Sequence, residues 1–511
     1  MKHQNHHTYG MSLVHRTWSR IWCLGLLWII LSGCNEPKPA KTERKTDREL
    51  ETISTNQTEI VNEETQPEVI PEIPVDPVSP EIESKPIPAT NYRRPDTRPV
   101  RDARLLAAVG IHKYESQHLL LYTDIAPEFA KELPDLIDAI YPEWERYFSP
   151  LPPDRDGKPF QMTGFLMKDR DLFRQMGLLP DDLPKFLNGR HRDREFWMNE
   201  QEFDYYRRHL LLHEATHCFM SVRRNNNLLP PVWYMEGMAE FFATHIRNPD
   251  GDFVFRVMPT NNDDFAGLGR ISLIQQAVEM GGFQQLQNIL NLTPNDFLNN
   301  EAYAWSWALC YWLDTHPEYS TRFRELGKTK SRPEFLDQFE KSFQADAEQM
   351  TVGWGLFASE LTEGYDVIRA AITMTPPELI ADASLASIPV RADRGWQSSG
   401  VEVTRGTVYE VLASGRVTLA NEPKPWVSEP GGITFDYVAK QPLGRLMLAF
   451  QDESPGLQGP ADGLLKPIPI GLRATFTAPV DGRIFLRIND RPDSLADNSG
   501  RYSVTIRAIP E

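Results

Sequence analysis

Residues 210–220 read LLLHEATHCFM, and residues 230–242 read PPVWYMEGMAEFF. His213 and His217 are four residues apart, so on a helix they share one face, about one turn from each other. Each can offer one imidazole nitrogen to a single Zn²⁺. Glu214, beside the first histidine, can reach an open coordination position and take a proton from water there. Taken alone, the five-residue pattern also fits a solvated helix face or a histidine packed in a core. The flanking LLL and CF argue for burial, where two histidines and a glutamate are costly without partners. The second stretch adds Glu236, after an eighteen-residue gap from His217. Helix, loop and second helix would let its carboxylate complete a His₂Glu set. Glu240, one turn further on the same face, can accept a hydrogen bond from a ligand histidine and fix its tautomer. Gly237 leaves space where two helices approach, and Pro230 and Pro231 suit the approach to a helix start.

The remaining pattern around these motifs is that of a mixed domain. HLLLYTD (118–124) and FQMTGFLM (160–167) read as strands, and EFAKELPDLIDAIYPEWERYF (128–148) as an amphipathic helix. Long apolar-periodic segments follow around 204–220, 234–246, 271–280 and 302–315. The expectation over residues 101–385 is an α+β domain, a small sheet followed by a helical body. From 390 to 511 the texture changes to short strands separated by Gly, Pro, Asn and Asp, as in VEVTRGTVYEVLAS and GRIFLRIND. That predicts an all-β sandwich.

HEATH and WYMEGMAE together resemble the gluzincin metallopeptidases, specifically the peptidase-MA-like group of bacterial proteins, over about residues 115–320. The resemblance implies a zincin-like fold acting on peptide or protein substrates. His213, His217 and Glu236 would be zinc ligands and Glu214 the general base. It also implies an oxyanion-stabilising side chain well past the third ligand, for which EAYAWSWALCYWL offers Tyr303. Tyr311 is a fallback and Tyr234 a weaker one, and any of these tyrosines can instead pack within its helix. Such enzymes align their peptide on an edge strand. LLLYTD and GFLM are both candidates, and segment 101–117 is a candidate cover for the cleft.

The N-terminus reads as a targeting segment. Arg16 and Arg20 lead into IWCLGLLWIILSGC (21–34), short for a membrane span and with no stop-transfer pattern after it. Its end, Leu31-Ser32-Gly33-Cys34, resembles a bacterial lipobox, which implies a lipid anchor on Cys34. An ordinary signal peptide is the plainer alternative. Met11 gives a signal of more usual length than Met1. Asn35 follows the cysteine, and no inner-membrane retention aspartate stands there, so the expected location is the cell envelope, on the outer membrane. Residues 35–100 are rich in Pro and Glu, with isolated apolar residues that cannot offset the entropy of ordering. They read as a disordered tether stiffened by proline. Of the four cysteines, Cys218 and Cys310 remain in the folded part, able to pair in an oxidising compartment or to stay buried as thiols. The net charge of −17 argues against nucleic acid as a partner.

One loop of the C-terminal region stands apart. RINDRPDSLADNSGRYSVTI (487–506) gathers Asp490, Ser494, Asp497 and Asn498 between two strands. Clustered oxygens suit Ca²⁺, although Asp, Asn and Gly also favour plain turns. The stretch resembles galactophilic bacterial lectins of the PA-IL type, with Gly400, Gly406 and the ASG at 413–415 matching their opening strands. The resemblance implies a calcium ion held by Asp490, Ser494, Asp497 and Asn498 and touching a carbohydrate. Leu419 replaces the family's early-loop tyrosine, which leaves a backbone carbonyl for calcium but removes a side-chain contact to sugar. Two functions therefore compete: a tethered zinc metallopeptidase, and a non-enzymatic envelope lipoprotein that recognises glycan or a protein through its β domain. A purely structural lipoprotein is a third.

Overall fold

The computed structural model describes residues 92–224, 229–374, 387–452, 461 and 463–509. Cys34, the signal segment and the tether as far as residue 91 lie outside the described residues. No helix among the described residues is long and apolar enough to cross a membrane.

A mixed α+β region comes first. Its sheet is built from β1 (His112–Glu115), β2 (Leu119–Thr123), β3 (Met162–Met167), β4 (Gly189–Arg192) and β5 (Glu195–Asn199), in the order β1-β2-β3-β5-β4. β2, β3 and β5 run parallel, while β1 and β4 are antiparallel edge strands. β3 is buried along its whole length, which explains why MTGFLM has no polar face. One side of the sheet packs Leu119, Leu121, Met162 and Phe196 into the main core. The other side packs Tyr122, Phe165 and Trp197 against Leu178 and Leu179.

The helical body supplies the main core. α1 (Leu133–Phe148) is the amphipathic helix expected from the sequence, shortened at its start because a separate turn of helix covers Pro127–Ala130. α2 (Asp204–Arg223) carries HEATH and is buried on all sides from His209 to Val222, as a central helix must be. α3 (Val232–Ala243) carries WYMEGMAE and begins directly after Pro231. α4 (Arg270–Glu279), α5 (Asn300–Thr315) and α6 (Ala347–Glu360) follow. α3 and α5 meet closely at Gly237, where an added Cβ would come within 2.5 Å of the Ser306 carbonyl oxygen. Cys218 and Cys310 are both buried free thiols, which settles the open choice between pairing and packing.

The second region is a separate, antiparallel β domain. One sheet joins β9 (Val417–Thr418) and β10 (Val427–Ser428) to β15 (Ser499–Ala508), β8 (Val408–Ser414) and β13 (Arg473–Thr477), with β6 (Ile388–Arg391) also on β15. The other has the order β12 (Ile468–Pro469), β11 (Leu446–Asp452), β14 (Gly482–Ile488), β7 (Gln397–Val403). Val411, Tyr502 and Val504 from the first face Leu448, Ile484 and Leu486 from the second in one apolar core. A further cluster ties the two regions together. Val352 and Leu356 of α6 pack with Trp396, Met447, Ala449 and Phe485 of the β domain. Arg487 Nη1 donates to Glu360 Oε1 at 2.7 Å beside it.

Two expectations need correction. LLLYTD and GFLM form β2 and β3, which are interior strands paired on both sides, so neither offers a free edge. Segment 101–117 forms a short helix (Ala103–Ala108) and β1, at the edge of the sheet opposite β4. It does not cover the HEATH face, which lies at the β4 edge.

Candidate metal centre

The helical period places His209, His213 and His217 on one face of α2, and Glu236 and Glu240 on the facing side of α3. The ligand atoms of His213, His217 and Glu236 converge within 4.8 Å. His217 Nε2 lies 3.0 Å from Glu236 Oε2 and 3.1 Å from His213 Nε2, and His213 Nε2 lies 3.3 Å from Glu236 Oε2. A tetrahedral ion with bonds of about 2.0–2.1 Å holds its ligand atoms about 3.3–3.4 Å apart. The triangle is thus close to what a zinc ion would set, and its two nitrogens and one carboxylate oxygen are borderline and hard donors suited to that ion.

Electrostatics agree with a site for positive charge. Burial opposes protonation of His213, but hydrogen bonding to Glu236 and Glu240 and the fields of Glu240 and Glu214 outweigh it and push it up to about 10. Burial dominates at His217 and lowers it. Burial likewise opposes ionisation of Glu236, yet the two histidines hold its carboxyl well below the usual range.

Glu240 is a hub behind the triangle. It accepts from Arg270 Nε at 2.8 Å and Nη2 at 3.0 Å, and contacts His209 Nε2 at 3.1 Å. His213 Nδ1 stands 3.1 Å from Glu240 Oε1, an ion-pair distance somewhat off the line of a straight N–H···O bond. Burial raises the cost of ionising Glu240, but Arg270, His209 and His213 overcome it and keep the carboxyl far below its usual range. Glu240 thus lies beside His213, where the sequence reading put an acceptor, at ion-pair distance and without a hydrogen bond of good geometry. Sequence reasoning missed Arg270 and His209. His209 stands one further turn before His213, a visible helical repeat, whereas Arg270 comes from another helix at no fixed spacing.

Glu214 is 5 % exposed, and its Oε2 has no hydrogen-bond partner among the described residues. β4 covers it closely: a Cβ on Gly189 would fall 2.3 Å from Glu214 Oε1. Two residues along the strand, the His191 ring stacks on His217 with centroids 4.3 Å apart, and its Nδ1 is 3.6 Å from Glu214 Oε2. His191 was invisible in the sequence, because GRHR is too short and charged to read as a strand. Tyr303 on α5 lies with its ring centroid 6.0 Å from that of His213 and beside Arg270. Burial, then the charges of Glu236, Glu240 and Glu214, raises its phenol far above the usual range, so it keeps its proton. Tyr234 packs instead against Phe323 and Phe335, and Tyr311 against Phe241 and Trp307.

In the β domain, Asp490 and Asn498 come together, with Asn498 Nδ2 donating to Asp490 Oδ2 at 2.8 Å. Burial raises the Asp490 carboxyl to about 6, and Asn498 Oδ1 is buried without a hydrogen-bond partner among the described residues. Ser494 bonds to Asp493, and Asp497 gives its backbone oxygen to Asn421.

No family model matches the chain, and no curated protein does. Among solved structures, the EclA N-terminal domain, a PllA-like lectin, is similar at 20% identity, over 24% of this chain and 97% of that one, with a TM-score of 0.19. The Aeromonas hydrophila protein PliG, a periplasmic lysozyme inhibitor of g-type lysozyme, is similar at 10% identity, over 27% of this chain and 97% of that one, with a TM-score of 0.17. Likenesses at these scores say nothing about what this chain binds.

Proposed function

We propose that the chain is a zinc-dependent metallopeptidase. The observation that carries this reading is the convergence of His213, His217 and Glu236 beside a buried carboxylate, Glu214, whose Oε2 makes no hydrogen bond among the described residues. His213, His217 and Glu236 would hold the ion. Zinc there would supply Lewis acidity, polarising a scissile carbonyl and making water acidic enough to lose a proton near neutral pH.

The chain's own groups would do the rest. Glu214 Oε2 takes the proton of the attacking water and later hands it to the leaving amine. β4, with its outer edge unpaired among the described residues, orients an extended peptide by main-chain hydrogen bonds. Tyr303, held protonated, donates to the oxygen that gains charge. Arg270 fixes Glu240, and Glu240 in turn orients His213. His191 positions both His217 and Glu214. Elemental analysis of the full chain and its His213→Ala variant tests the ion: about one zinc per chain is expected, lost in the variant. Glu214→Gln should keep the zinc and lower peptide-library hydrolysis by roughly 10²–10⁴-fold. Equal zinc in both proteins, or undiminished hydrolysis in Glu214→Gln, would sink the proposal.

The remaining expectations belong to this reading as proposals. Lipidation at Cys34 would hold the catalytic region at the outer membrane, facing envelope peptide or protein. The β domain supports a second reading, a Ca²⁺ and carbohydrate site, through the orphaned Asn498 Oδ1 and the raised Asp490 carboxyl. Calorimetric titration with Ca²⁺ checks it, with Asp490→Ala as the control that should bind none.

A further inference from the structure

A cavity of about 530 Å³ lies at the far end of α2, away from the triangle. From His217 to Arg224 is seven residues, or roughly 10 Å along the helix axis. The cavity lining is unusual for a chain with a net charge of −17. It contains Arg93, Arg94, Arg194, Arg223, Arg224 and Lys330, against one carboxylate, Asp193.

Some of this charge has partners. Arg93 donates to the Pro152 and Lys158 carbonyl oxygens and stands 3.7 Å from Asp154. Arg194 donates to the Arg94 carbonyl oxygen, with Asp96 at 3.8 Å. Arg223 donates to the Phe148 carbonyl oxygen at 2.9 Å. Arg224 differs. It is 2 % exposed, and the one side-chain hydrogen bond it makes among the described residues runs from Nη2 to Thr329 Oγ1 at 3.4 Å. Its Nε and Nη1 are buried with no partner among the described residues. The Nε of Arg93 is likewise buried and unpartnered. The C-terminal end of α2 favours a cation, which accounts for arginines at this position. It does not account for three N–H bonds of one guanidinium left unsatisfied among the described residues, since buried charges are normally paired and buried donors bonded.

We infer that this cavity binds a phosphate-bearing ligand, with Arg224 as its buried anchor and Arg93, Arg194 and Lys330 around it. A phosphate carries more charge and more acceptor oxygens than a single carboxylate, and it suits a lining in which cations outnumber anions so strongly. The cavity falls within the usual size of small-ligand pockets, so the phosphate would be part of a larger molecule. The site is independent of the metal reading and stands if that reading fails.

The test is thermal unfolding of the full chain with inorganic phosphate and pyrophosphate, against sodium chloride at matched ionic strength. The wild type should show a saturable rise of about 2 °C or more with phosphate or pyrophosphate only. Arg224→Met should abolish that rise while raising the midpoint in chloride, because it removes an unpaired buried charge. Should Arg224→Met not fold, Arg94→Gln at the exposed rim reads the same site and should weaken binding at least about threefold. Glycerol phosphate and phosphatidylglycerol vesicles then separate the sources. Saturation by the former assigns a soluble ligand, and saturation by the vesicles alone a lipid headgroup. No stabilisation of the wild type beyond chloride, or wild-type affinity in the variants, overturns the inference.

Discussion

At the residue scale, Glu240 shows how a cluster able to hold a metal would depend on a group outside the ligand set. Its carboxylate collects Arg270, His209 and His213, so removing its charge should leave the triangle standing but loosen it. Glu240→Gln should weaken zinc affinity by roughly 10–100-fold, read by competition with a chromogenic chelator, with the fold intact by circular dichroism. His316 carries a different consequence. It is 3 % exposed, and its Nδ1 accepts the backbone N–H of Glu318 at 3.2 Å, which requires the neutral ring. Burial, helped by Arg322, lowers it from 6.5 to about 4. The unfolded chain therefore binds a proton more readily than the folded one between those values. The stability this gives is whole above pH 6.5 and is lost as pH falls towards 4, about 3 kcal/mol in all. His316→Gln keeps an acceptor and cannot titrate there, so denaturant unfolding of that variant should show a flatter acid limb.

At the element scale, β4 is the decisive strand. Gly189→Ala would drive a methyl group into Glu214. On the proposed peptidase reading, hydrolysis should fall about 100-fold with zinc content unchanged, because the proposed base is displaced and the proposed ligands are not. Unchanged turnover would mean that the strand does not fix the base. The sequence carried the two motif helices plainly, since their polar residues recur at helical spacing within apolar runs. It carried β2 and β3 as strands but not their rank in the sheet, because pairing order is set by tertiary contacts that leave no local pattern. β4 itself stayed hidden: four residues, two of them arginine, give no alternation to detect. Tyr303 was within reach only through family resemblance, and Arg270 joins the site through a fold that brings separate helices together.

At the scale of the whole molecule, the α+β region and the β domain share apolar surface. Trp396 is 2 % exposed in the cluster that joins them, with the Arg487 guanidinium 4.6 Å from its ring. Trp396→Ala should cost about 3–5 kcal/mol and split a single calorimetric transition into two, as the regions lose their common packing. A single unshifted transition would show that the cluster couples nothing. The composition break near residue 390 made two fold classes legible in the sequence. The contact between them was not legible, because Val352, Leu356 and Trp396 each look like core residues of their own region.

The outer edge of β4, unpaired among the described residues, has one more consequence. Backbone groups in a native helix or an interior strand are already satisfied and gain little by moving to that edge. A loose or unfolded segment gains a full set of partners. Admission to Glu214 would thus be rationed by the conformation of the client rather than by its amino-acid spelling. A mixture of intact proteins would pass untouched, and the same mixture after denaturation would be consumed.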